Sequence, residues 1–69
     1  MFKHKLLASL REKQGWARRE VVLQLHDIGL DISEPTLANW EEGRSVPGAD
    51  DLVPLSRIFN ITTQTWLDH

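Results

Sequence analysis

Ser33, Ser45, His4, His26 and His69 are the side chains whose types could support nucleophilic, acid–base or metal chemistry. Their spacing supports none of it. Neither serine has a paired base with an orienting acid, and His26 and Asp27, as sequence neighbours, leave a helix surface in different directions. The three histidines share no ligand spacing, and no cysteine is present for a thiolate zinc site or a disulfide. The expectation is a chain that is not an enzyme and uses no metal or cofactor, with no small-molecule substrate evident. What the residues do offer is segregated charge. The formal net charge is −2, yet residues 1–19 carry Lys3, Lys5, Arg11, Lys13, Arg18 and Arg19 against Glu12 alone, while residues 20–69 carry Arg44 and Arg57 against nine carboxylates. A basic stretch of this kind meets a polyanion or is a solvated face, and an acidic total argues against nucleic acid. Placement must decide between them.

The elements that position these charges are short. Sixty-nine residues make one domain (residues 1–69), small enough that a chain of roughly this size buries only about 60% of its unfolded surface. Apolar runs of two or three residues, such as Leu6, Leu7 and Ala8, are too short for a signal-peptide core or a membrane span. A cytoplasmic location is expected. Phe2, Leu6, Leu7 and Leu10 predict a first helix over residues 2–14, stopped by Gly15. Val21, Val22, Leu25 and Ile28 predict a second over residues 16–28, stopped by Gly29, with Ala17 a weak cap and Trp16 spaced to staple onto Val21. Ser33 caps a third helix over residues 34–42, which Gly43 ends; Pro35 is tolerated in its first turn, and Ile32 and Leu37 have staple spacing. A fourth helix holds Leu52, Val53, Leu55, Ile58 and Phe59. Pro54 favours a start after an Asp51 cap, which keeps the proline in the first turn. Asn60 closes that helix, and Thr62 caps a short fifth containing Trp66 and Leu67. The fold class is all-α, with five helices.

The second and third helices with their connection form a helix-turn-helix arrangement, in which the second of the pair enters a major groove. Periodicity alone does not decide this, since two helices and a turn occur in any small bundle. The residues add a resemblance. Leu10-Arg11 before Gly15-Trp16, Ile32-Ser33 leading into Thr36-Leu37, Asn39 to Arg44 with Trp40, Glu41 and Gly43, Pro47, and Phe59 to Thr62 before Trp66-Leu67 resemble the lambda-repressor-like (phage repressor and Cro) helix-turn-helix family over nearly the whole chain. The resemblance implies a compact five-helix domain. It also implies that Arg11 and Glu41 form a structural ion pair, that Glu34, Pro35, Thr36 and Asn39 look into the groove, and that Arg18 and Arg44 meet phosphates; Arg19, beside Arg18 on the backbone face, and Ser33 are further phosphate candidates. The residue chemistry fits in part. Asn39 can pair with an adenine edge, Thr36 with a polar edge or a thymine methyl, and Glu34 with a cytosine amino group, while Pro35 offers only apolar contact. Glu34, Glu41 and Glu42 make the reading helix negative, and Glu42 stands where the family often has a phosphate-contacting polar residue. Two departures stand out: the weak Ala17 cap, and a connection over residues 29–32 that is about two residues longer than the common version.

The reading is a sequence-specific regulator of double-stranded DNA, repressor-like and of bacterial or phage type, that binds as a homodimer to half-sites about 34 Å apart. Trp66 and Leu67 are candidates for the subunit contact, and equally for the core. The alternative is a protein-binding module of the same fold, such as an antitoxin component or a phage factor gripping a host protein through the acidic surface between Asp27 and Asp51. Trp16, Trp40 and Trp66 have the spacings of core residues rather than of a base-stacking platform.

Overall fold

Leu7, Val21, Leu25, Leu37, Leu55 and Trp66 are fully buried, and Phe2, Trp40, Leu52 and Phe59 nearly so. Each helical segment contributes to this one core. Burying such a side chain is worth about 1.5–3 kcal/mol relative to leaving it in water. The computed structural model describes residues 1–67. Among them run four α-helices, α1 (His4–Lys13), α2 (Arg18–Asp27), α3 (Glu34–Glu42) and α4 (Ala49–Phe59), followed by a 3-10 turn over Thr63–Trp66. α3 packs on both α1 and α2, α2 also packs on α4, and α4 packs on the 3-10 turn.

The architecture is all-helical as expected, with four α-helices rather than five. Residues 63–66 are too few for an α-helix to repay its nucleation, and they close as a single 3-10 turn instead. The first helix also begins later than its apolar spacing indicates. Phe2 stands outside it in an antiparallel bridge with Leu67, and the Lys3 amide donates to the Trp66 carbonyl at 2.7 Å. Phe2 then stacks on Trp66 with ring centroids 5.5 Å apart.

The fourth helix corrects the expected start. It begins at Ala49, with Gly48 as its cap and the Asp51 carboxylate accepting from the Gly48 amide at 3.1 Å. Pro54 therefore lies inside the helix, where its missing amide removes one intrahelical bond. Leu52, Leu55, Ser56 and Phe59 are buried along one face. Their burial, and the two acidic residues in the first turn beside the positive end of the helix dipole, outweigh the lost bond.

Trp66 belongs to the core and is 0% exposed, which removes it as a subunit contact. Its indole nitrogen donates to Ser56 Oγ at 2.9 Å, and the Ser56 hydroxyl donates to the Leu52 carbonyl at 2.7 Å. Phe59 meets the indole edge-on at 6.0 Å and lies 5.6 Å from Trp16. Trp40 is likewise buried.

Ala17 occupies the cap of α2 with extended backbone and no side-chain acceptor. Half of a capping box forms there, since Glu20 Oε1 accepts from the Ala17 amide at 2.9 Å. Ala17→Ser supplies the missing half, a hydroxyl for the Glu20 amide. It should raise stability by about 1 kcal/mol, an increase of roughly 4–8 °C in melting temperature for a domain of this size. An unchanged thermal melt would show that the cap already has all it needs.

Candidate nucleic-acid interface

α3 is short and fixed at both ends. Ser33 Oγ accepts from the Thr36 amide at 3.3 Å and lies 3.0 Å from Thr36 Oγ1. Gly43 closes the helix with φ 79°, and a Cβ there would come within 3.2 Å of the His4 ring. That contact seats the end of α3 against the start of α1, at a position where any side chain would be both strained and crowded. At the other end, α2 closes at Gly29, whose amide donates to the His26 carbonyl at 3.0 Å while the Leu30 amide donates to the Leu25 carbonyl at 2.9 Å. The connection to α3 spans residues 28–33. His26 pairs across it with Asp31, whose hydrogen bond and charge raise the imidazole above its usual value.

Leu37, Trp40 and Glu41 are the buried side of α3. Pro35, Asn39 and Glu42, at spacings of four and three, form a line on the opposite side. Glu34 and Pro35 are exposed at the entry, and Thr36 and Asn39 are half-buried beside them. The Asn39 side-chain amide has no hydrogen-bond partner among the described residues, and no buried polar side-chain atom among them is unsatisfied. Two donors and an acceptor thus stand ready on the outward line.

A ladder of alternating charges crosses the far end of α3. Arg11 donates through Nε to Glu41 Oε2 at 2.7 Å and through Nη2 to Oε1 at 3.1 Å, a two-pronged contact, and its Nη1 donates to the Trp16 carbonyl at 2.9 Å. The bond to Glu41 holds the Arg11 guanidinium above its already high ordinary value, against the effect of burial. Arg18 Nε donates to Glu41 Oε1 at 3.1 Å, and Arg18 Nη2 lies 3.6 Å from Glu42 Oε2. Arg44 Nη2 completes the ladder, 2.9 Å from Glu42 Oε1. The Glu41 side chain is 1% exposed, so its charge is stable there only because two guanidinium groups share it.

A profile of the family described as a helix-turn-helix domain matches residues 5–68. The chain belongs to that family. Comparison with curated proteins gives no match. Membership in the helix-turn-helix family, consistent with the lambda-repressor-like type, points to a DNA-binding regulator, a role typically without catalysis. Among the described residues no helix is long and apolar enough to cross a membrane, and no three His, Asp or Glu side chains are grouped to hold a metal ion. His69 lies outside the described residues.

Within the helix-turn-helix domain the sequence-derived residues fall into two groups. Glu34, Pro35, Thr36 and Asn39 gather with Ser33 along the entry and outward side of α3. Arg11, Glu41, Arg18 and Arg44 gather at its far end in the ladder. Arg19 is exposed and makes no ion pair among the described residues. Sequence reasoning missed that Arg18 and Arg44 are both tied to Glu42. The Arg44 half had a local signal, a carboxylate two residues before the arginine, whereas Arg18 is distant in the chain and carried none.

Proposed function

We propose that this helix-turn-helix domain is a sequence-specific regulator of double-stranded DNA, repressor-like in action, that places α3 in the major groove. The unpartnered Asn39 amide on the outward line of a helix whose entry is open carries this reading. In the complex Asn39, Thr36 and Glu34 meet base edges and Pro35 makes apolar contact. Arg18, Arg19, Ser33 and Arg44 meet phosphates and fix register without carrying sequence information. The Arg11–Glu41 pair holds α1 against α3 and touches no DNA. One short reading helix provides few contacts, each worth about 1–3 kcal/mol of discrimination at best, so the domain acts as a homodimer on two half-sites. Such a protein works in the cytoplasm, on the nucleoid.

Selection from a pool of random duplexes at low salt tests the reading. A consensus should emerge, and Asn39→Ala should bind that consensus about 5- to 150-fold more weakly while losing preference at a single base pair, the measure of about 1–3 kcal/mol for one side chain–base contact. A pool that stays random after selection would overturn the proposal in favour of a protein partner at the acidic surface.

A further inference from the structure

Glu42 has no place in the core and caps nothing. Its side chain is 40% exposed, against 1% for the neighbouring Glu41. It lies in the last turn of α3, where a carboxylate meets the negative end of the helix dipole and is disfavoured. Yet its two oxygens are divided between two arginines, Oε1 at 2.9 Å from Arg44 Nη2 and Oε2 at 3.6 Å from Arg18 Nη2. A DNA phosphate presents the same chemistry: two anionic oxygens offered to guanidinium donors beside the outer end of the reading helix.

We propose that Glu42 is an intramolecular stand-in for a duplex phosphate, holding Arg18 and Arg44 in the free protein so that backbone binding requires an exchange of carboxylate for phosphate. The inference rests on the DNA-binding reading above and assigns that site a residue that limits its affinity. Arg18 and Arg44 remain exchangeable, because their side chains are 37% and 71% exposed and exposed ion pairs are weak and screened by salt. Glu41 is different. Its buried carboxylate keeps Arg11 and one nitrogen of Arg18 whether or not DNA is present, so the ladder has a fixed rung and a removable one. Sequence-independent affinity grows with the number of phosphates neutralised, and each steepens the salt dependence by about 0.9 in log–log slope. One carboxylate shared by two phosphate-seeking arginines subtracts about one such contact. Because phosphates carry no base identity, the subtraction is equal on every duplex.

The test is a salt titration of binding by fluorescence anisotropy, on the selected consensus duplex and on a scrambled duplex. It compares the full chain with Glu42→Gln, Glu42→Ala and the control Asp50→Asn. The control removes the same charge from an exposed α4 residue that meets no cation among the described residues. Both Glu42 variants should bind both duplexes about three- to tenfold tighter, by the same factor on each, with a slope steeper by about one unit. Asp50→Asn should change either quantity by less than about twofold, as expected for an exposed carboxylate that holds neither arginine. Two results would overturn the proposal: Glu42 variants indistinguishable from Asp50→Asn, or a gain confined to the consensus duplex, which would place Glu42 against a base. Failure of the unaltered chain to select any consensus would instead overturn the DNA-binding reading itself.

Discussion

Arg11→Ala should destabilise the domain by about 3–5 kcal/mol, read from the midpoint of urea unfolding. The Glu41 carboxylate is held from two sides, and Arg11 supplies both its shortest bond and the two-pronged geometry. With Arg11 gone, Glu41 keeps only the Arg18 Nε contact at 3.1 Å, in a site with almost no water to replace what was lost. The Trp16 carbonyl loses its donor as well. Proteins have about 0.05–0.15 kcal/mol of stability per residue, so a chain this short holds about 3–10 kcal/mol in all and the variant removes a large part of it. The paired replacement Arg11→Met with Glu41→Leu separates the worth of the pair from the cost of orphaning a charge. It should recover most of the loss, since well-packed apolar residues often match a buried ion pair in stability. A double variant as unstable as Arg11→Ala would mean that the guanidinium contributes through its hydrogen bonds rather than by neutralising the carboxylate.

Trp66→Ala should cost a similar amount, about 3–5 kcal/mol, the usual range for emptying a buried tryptophan site. Phe2 loses its stacking partner, Phe59 its edge contact and Ser56 the indole donor. Trp66→Phe keeps a ring in the site and leaves the Ser56 hydroxyl donating to the Leu52 carbonyl, so it should cost clearly less than the alanine variant. Equal losses would place the energy in the Trp66–Ser56 hydrogen bond rather than in packing. Calorimetry reads both, and sedimentation should show no change in assembly for either, because the indole faces no solvent.

Much of the third helix was legible because its signals are local. Ser33, Pro35 and Gly43 act within one turn of the backbone they shape, and both ends fall where the sequence placed them. The weak Ala17 start was equally readable, since the absence of a side-chain acceptor is a property of one residue. Pro54 misled for the opposite reason. Its rule is local, but the start of α4 is set by four buried residues farther along and by Asp51 turning back to Gly48. Phe2 fits a helical stripe by spacing, and only a partner at the other end of the chain draws it out of the helix. In the site, the outward line of α3 follows from helical period alone. Family resemblance, rather than pattern, paired Arg11 with Glu41. No spacing rule could have joined Arg18 to Glu41 and Glu42, because that junction exists only once α2 has folded across the end of α3.

The bridge between Phe2 and Leu67 has a mechanical consequence. A pull applied at residues 2 and 67 would load the Lys3–Trp66 hydrogen bond in the peeling direction, with the stacked rings of Phe2 and Trp66 behind it. Resistance to such a force is governed by the rate of opening rather than by total stability. Tension applied at those two residues should therefore probe this clasp separately from the domain's resistance to heat.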